Sequence, residues 1–215
     1  MLSKKAIILD YDGVVAESNQ IKTRAFSELF KGEKKDHITE FIEFHTCNEG
    51  ISREKKISYF YTEILKKRIL KKDLNKKCSD FSNLVVQKII ECEKVAGVES
   101  YLKENYKKKD FFISSGTPTK EIKLILKKTN MINFFQDILG SPDSKEKHIS
   151  YILNKYKYNR AELMFIGDSK TDLMAARKNG IDFILRTHKL NKELSGLFNG
   201  HKIKNFFEIK KLISH

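Results

Sequence analysis

The chain has 215 residues, 40% of them hydrophobic, with two prolines and a formal net charge of +14. That composition excludes a disordered or collagen-like chain and suits one large domain, or a core carrying a smaller insertion. Lysines are scattered over nearly every segment with no DNA- or RNA-binding motif around them. They read as solvated helix faces whose positive field favours anionic small molecules, and no nucleic-acid partner is expected.

The first apolar run, Ala6-Ile7-Ile8-Leu9, follows Met1-Leu2-Ser3-Lys4-Lys5. It is too short for a signal-peptide core, and no later stretch reaches the length of a membrane span, so no membrane partner is expected. Cys47, Cys78 and Cys92 form no CxxC pair, which points to a reduced, cytoplasmic compartment. Ala6 to Leu9 reads as a buried parallel strand, as do 111–113, 163–166 and 183–185. Helices are expected over 118–130, with Thr117 as N-cap and Pro118 in the first position, over 147–156, and over 171–179 with Gly180 as C-terminal cap. The tail, 203–213, reads as a final helix covering the sheet. Strands alternating with helices of this length predict an α/β fold, a Rossmann-like doubly wound parallel sheet.

Residues 18–93 break the alternation. Amphipathic helices are expected at 23–30, 40–45, 53–67 and 83–93, with no convincing buried strand among them. The segment reads as an inserted all-helical domain, so that 1–17 and 94–215 form the core, joined through connectors near Val14 to Ser18 and Val95 to Gly97.

Chemistry gathers where the strands end. Asp10 and Asp12 follow the first strand at i, i+2, at the sheet edge where open α/β sheets bind ligands. Two close carboxylates stay ionised most easily beside a hard cation such as magnesium; alone, the pair is equally a turn with a helix-capping aspartate. The strand at 163–166 repeats the pattern with Asp168 and Asp172, the latter also a plausible helix cap. Ser114-Ser115-Gly116-Thr117 precedes a helix start, where a hydroxyl and free N–H groups make a phosphate site or an ordinary N-cap. Lys145 or Lys147 lies ahead of the Asp168 strand, where a lysine balances carboxylates and holds phosphate. His45 and Cys47 have no partner pair at metal-ligand spacing and are assigned to packing or surface.

In this order, Asp10-Tyr11-Asp12-Gly13-Val14, Ser115, Lys145 and Gly167-Asp168 with Asp172 resemble the haloacid dehalogenase superfamily of phosphohydrolases. Within it, the long helical insertion after the first motif is similar to the phosphoglycolate phosphatase and β-phosphoglucomutase branches. The resemblance implies Asp10 as nucleophile forming an aspartyl phosphate and Asp12 as general acid and base. It implies Mg2+ held by Asp10, the Asp12 main-chain carbonyl and Asp168, with Asp172 in support. Ser115, Gly116 and Lys145 would bind the phosphoryl group. An aspartate at position 12 implies a phosphatase or phosphomutase rather than a dehalogenase or pump. Glu49-Gly50-Ile51-Ser52-Arg53-Glu54 is similar to a segment of the β-phosphoglucomutase cap whose arginine reaches the distal phosphate, so Arg53 is expected to face substrate, although a solvated Arg53 after a Ser52 cap is as good a reading. Lys22 stands where many relatives have a histidine that contacts substrate or the second aspartate. The leading expectation is a phosphatase for a small phosphorylated metabolite (a sugar phosphate, phosphoglycolate or amino-alcohol phosphate), monomeric or dimeric. A sugar phosphomutase is the alternative, and a non-catalytic nucleic-acid-binding module is third.

Overall fold

The computed structural model describes residues 4–213; the outer ends of the expected core segments, 1–3 and 214–215, lie outside the described residues. In chain order the elements are β1 (Ala6–Leu9), α1 (Asn19–Leu29), α2 (Lys35–Cys47), α3 (Arg53–Tyr59), α4 (Lys71–Glu91), α5 (Val98–Asn105), β2 (Asp110–Pro118) and α6 (Thr119–Lys128). There follow β3 (Asp137–Ser141), α7 (Lys145–Tyr156), β4 (Leu163–Gly167), α8 (Lys170–Asn179), β5 (Asp182–Arg186), α9 (Lys192–Leu197), β6 (Lys202–Ile203) and α10 (Phe206–Ile213). The six strands form one sheet in the order β3-β2-β1-β4-β5-β6, all pairs parallel.

β1 sits in the interior of this sheet, paired with β2 through Leu9 opposite Ile113 and with β4 through Leu9 opposite Ile166. Buried on both faces, it is apolar throughout, as central parallel strands are. Alternate residues serve opposite faces. Ile7, Leu9, Phe111, Ile113, Met164 and Ile166 pack with α5, α6 and α10. Ile8, Phe112 and Phe165 pack with Ile149 and Ile152 of α7 and with Ala175 and Ala176 of α8.

Between β1 and β2 lie α1 to α4, packed on one another around an aromatic cluster. Phe30 stacks on Phe60 at 3.8 Å between centroids, and Phe26 lies 4.1 Å from Phe81. The chain passes from β1 into this block and returns from it as two antiparallel segments, joined by Val95 N–H to the Val15 carbonyl and Glu17 N–H to the Glu93 carbonyl, each 3.0 Å. Ala16 bridges both Asp12 and Lys94 in that ribbon.

Several expected boundaries move. α4 begins at Lys71 rather than 83, and the helix expected over 53–67 passes at Phe60 into a wider π-type turn ending at Ile64. The helix after β2 begins at Thr119 with Pro118 as its N-cap, one position later than expected, because β2 itself extends to Pro118. α7 begins at Lys145 behind a Ser144 cap, and α8 at Lys170 behind Ser169. Gly180 ends α8 in the left-handed conformation, φ 65°. Two strands (β3, β6) and the helices α5 and α9 had no sequence expectation, and only the later part of the tail is helical.

Candidate active site

The carboxyl ends of β1, β2 and β4 and the start of α7 meet at one edge of the sheet. Asp10 is 3% exposed; its carboxylate accepts a hydrogen bond from Lys145 Nζ at 2.6 Å. Lys145 also pairs with Asp172, so one buried ammonium lies between two carboxylates. Lys147 is exposed and pairs with Asp143, which leaves Lys145 as the lysine of this cluster. Asp172 closes a capping box with Ser169 at the start of α8, accepting from the Ser169 N–H at 3.1 Å and hydroxyl at 2.6 Å. Its capping and charge-pairing roles therefore coexist.

Asp12 receives the Ser18 hydroxyl at 2.6 Å and an ion pair from Lys22 of α1, whose Nζ also donates to Thr117 Oγ1 at 2.7 Å. Burial pushes the Asp12 carboxyl up, but Lys22 and Ser18 outweigh it and hold the group below its ordinary value. Asp168 accepts from Asn19 Nδ2 and from His188 Nε2, each at 2.8 Å. His188 Nδ1 accepts the Leu190 N–H, which fixes the tautomer with the proton on Nε2. Ser115 is fully buried with its hydroxyl accepting the Thr117 N–H at 3.1 Å. Gly13, at φ 72°, has no room for a side chain, since a Cβ there would meet Asp168 Oδ2 at 1.9 Å.

The charges do not balance. Asp10, Asp12, Asp168 and Asp172 carry four formal negative charges, while Lys22 and Lys145 supply two positive ones. Burial, reinforced by the other three aspartates, raises the Asp10 pKa against the pull of Lys145. Burial would lower the Lys145 pKa, yet Asp10 and Asp172 raise it, so the ammonium stays charged. Carboxylate oxygens of Asp10, Asp168 and Asp172 lie within 4.8 Å of one another, a hard oxygen donor set short of two positive charges. A divalent cation such as magnesium fits both the donors and the deficit. Glu49 from the α2–α3 loop extends the acidic side beside Asp168 and His188; burial first, then Asp168, pushes its carboxyl to about 7.

The inserted helices close over this edge. Thr171 Oγ1 donates to the Glu49 carbonyl at 3.1 Å, and Gly50 comes so near Gly116 that a Cβ on the latter would lie 2.7 Å from the Gly50 oxygen. Beneath lies a cavity of about 40 Å³ bordered by Asp10, Asp12, Asp168, Gly116, Lys22 and Lys56, among others. Arg53 borders it too, but not as expected. Its guanidinium is 6% exposed and forms two bonds to Glu121 of α6, 2.9 and 2.5 Å, with a further bond to Ser82. Arg53 thus borders the cavity with its fork already engaged by an acid of the core, and the solvated alternative gives way. Cys47 is exposed; His45 is buried and bonded to Lys56 and Thr23.

Asn19, Lys56 and His188 join this site without having been singled out in the sequence, while Thr117 was named there only in the run before a helix start and Glu49 only within the segment carrying Arg53. Thr117 follows the phosphate-site run and Glu49 opens the Arg53 segment, signals that were available. Lys56 and His188 arrive through tertiary packing alone.

The arrangement agrees with comparisons to known proteins. A stretch of 68 residues is 29% identical to the phosphoglycolate phosphatase of Vibrio parahaemolyticus, covering 29% of this chain and 30% of that protein's length. Among solved structures, a predicted phosphoglycolate phosphatase from Haemophilus somnus superposes with a TM-score of 0.77 at 17% identity over 99% of both chains. CbbY from Rhodobacter sphaeroides, in complex with phosphate, gives 0.74 at 15% identity over 94% of this chain and 95% of that one. Those similarities establish the fold. The model of the haloacid dehalogenase-like hydrolases matches residues 7–186, from β1 through β5 and across every strand end described above, so the chain belongs to that family.

Proposed function

We propose that this protein is a magnesium-dependent phosphatase that hydrolyses a small phosphate monoester through an aspartyl phosphate on Asp10, with α1 to α4 (within residues 18–93) serving as a cap over the α/β core. The observation that carries this reading is the buried Asp10 carboxylate at the end of β1, held at 2.6 Å by Lys145 inside a cluster two positive charges short of neutrality. A phosphoryl group approaching Asp10 meets Lys145, Ser115 and the Gly116 N–H, a lysine, a hydroxyl and a backbone donor suited to a tetrahedral oxyanion. Asp10 and Asp168 would hold the magnesium with the Asp12 main-chain carbonyl; the ion offsets phosphoryl charge when bound. Lys22 and Ser18 hold Asp12 ready to take a proton from the hydrolytic water, and the proton so gained would pass to the leaving alkoxide of the next substrate, so that one carboxyl serves as base and as acid.

The phosphoglycolate phosphatases of Vibrio make 2-phosphoglycolate the first substrate to test. The mutase alternative leaned on Arg53 as a free distal-phosphate ligand, and a guanidinium bound to Glu121 gives it no support. The test is phosphate release from a panel of phosphorylated metabolites with magnesium, with EDTA, and with Asp10→Asn. Activity lost to EDTA and reduced by ~10³-fold or more in the variant is expected, by comparison with nucleophile deletions in other covalent enzymes. Turnover by Asp10→Asn within tenfold of wild type, or undiminished in metal-stripped protein, would refute the reading.

A further inference from the structure

Three cations border the cavity, and two already have counter-charges. Lys22 is paired with Asp12 and Arg53 with Glu121. Lys56, one helical turn beyond Arg53 on α3, is 4% exposed and forms no ion pair among the described residues. Its hydrogen bonds go to His45: Nζ to Nδ1 at 2.8 Å, and a longer 3.5 Å contact to the carbonyl. The remainder of the relay is consistent with one tautomer. His45 Nε2–H donates to Thr23 Oγ1 at 3.1 Å, and that hydroxyl donates to the Asn19 carbonyl at 3.0 Å. His45 is therefore neutral, an acceptor that aims Lys56 without compensating its charge. Phe26, 5.9 Å from Nζ, and Phe81 supply apolar wall.

A buried ammonium without an anion is costly. Desolvation brings the Lys56 pKa down to about 7, with Lys22 and Lys145 adding to the effect and the Glu49 and Asp12 carboxylates opposing it. Packing alone would be served better by methionine. The same small cavity reaches Asp10, so an anion that satisfied Lys56 would belong to the molecule whose phosphoryl group lies on Asp10.

We propose that Lys56, positioned by His45, is the specificity-determining residue of this site and recognises a short anionic tail, carboxylate or phosphate, on the substrate. The proposal rests on the phosphatase reading above and narrows it to doubly anionic substrates. Lys56 and Asp10 border the same small cavity, about 40 Å³, so the tail is separated from the phosphoryl group by only a few atoms.

The test compares 2-phosphoglycolate, ethyl phosphate (a methyl in place of the carboxylate) and ethane-1,2-diyl bisphosphate on the magnesium-loaded wild type, Lys56→Met and Lys56→Gln. Wild type should prefer a doubly anionic substrate over ethyl phosphate by at least tenfold in kcat/KM. Lys56→Met should bring that preference to within about twofold, chiefly through KM, while its thermal midpoint is no lower than wild type. Whichever of the two anionic substrates carries the Lys56-dependent preference identifies the tail as carboxylate or phosphate. A wild type indifferent to the tail, or a preference that survives in Lys56→Met, overturns the proposal. An equal loss on all three substrates with a lowered midpoint also overturns it, leaving a structural lysine. If no substrate releases phosphate, the phosphatase reading fails separately. Calorimetric binding of 2-phosphoglycolate and ethyl phosphate to Asp10→Asn, with and without Lys56→Met, then still reads the tail preference directly.

Discussion

Removing Glu121 should destabilise the protein far more than removing an ordinary surface charge. Its carboxylate takes two bonds from Arg53 and one from the Ser82 hydroxyl at 2.7 Å, and both members of the pair are less than a tenth exposed. Arg53 also lies 4.8 Å over the Phe81 ring, a contact it would give up by turning out to solvent. Glu121→Ala leaves a buried guanidinium without its acid, a change that costs about 3–5 kcal/mol. At roughly 2–4 °C per kcal/mol for a chain of this size, the melting midpoint should fall by roughly 6–20 °C. The double variant Arg53→Met/Glu121→Leu removes both charges and should recover at least half of that loss. Denaturant unfolding of the wild type, two singles and the double variant gives the coupling energy. A cost below ~1 kcal/mol for Glu121→Ala, the range of exposed pairs, would refute the reasoning and make the bridge incidental.

Two further outcomes follow from buried groups. Burial holds His148, bonded to Ser114 at 2.9 Å, near pKa 4. A histidine with a depressed folded pKa stabilises the protein above its unfolded value of about 6.5 and loses that contribution as pH falls through it, because only the unfolded chain takes up the proton. The stability difference between wild type and His148→Gln should therefore shrink by about 2 kcal/mol between pH 6.5 and 5, measured by urea unfolding; a constant difference would show that His148 titrates normally. Asp172→Asn keeps the capping geometry but removes one of the two carboxylates on Lys145, and should lower kcat by about 10–100-fold, as loss of outer partners does at metal sites. Phosphate release within threefold of wild type would confine Asp172 to capping.

The interior of the sheet was legible because β1 and β4 are buried on both faces and so are apolar without interruption. β3 is an edge strand in which only Ile138 and Gly140 are buried, and β6 has two residues; neither leaves a run to detect. The start of α4, Lys71-Lys72-Asp73-Leu74-Asn75-Lys76-Lys77, buries one side chain, so its helical period is nearly silent. At the site, Asp10, Asp12, Ser115, Lys145 and Asp168 could be named because each follows a strand or opens a helix at a recognisable spacing. Not every partner at the site could. Glu121 is one acid on an exposed-looking lysine-rich helix, and His188 follows β5 with no motif around it. What they meet depends on how distant segments pack, which local pattern does not encode.

The antiparallel ribbon joining the core to the inserted helices has a mechanical meaning. Its two N–H···O bonds at 3.0 Å resist sliding, so the two segments can twist about a shared axis more easily than they can shear. Ala16 couples to Lys94 on one side and to Asp12 on the other, and α1, which carries Lys22 and Asn19, starts three residues later. A rotation of the insertion about that ribbon would act on the Asp12 backbone and on the Lys22 ion pair together. The ribbon thus ties the backbone of Asp12 to the segment carrying Lys22 and Asn19, the side chains that hold Asp12 and Asp168.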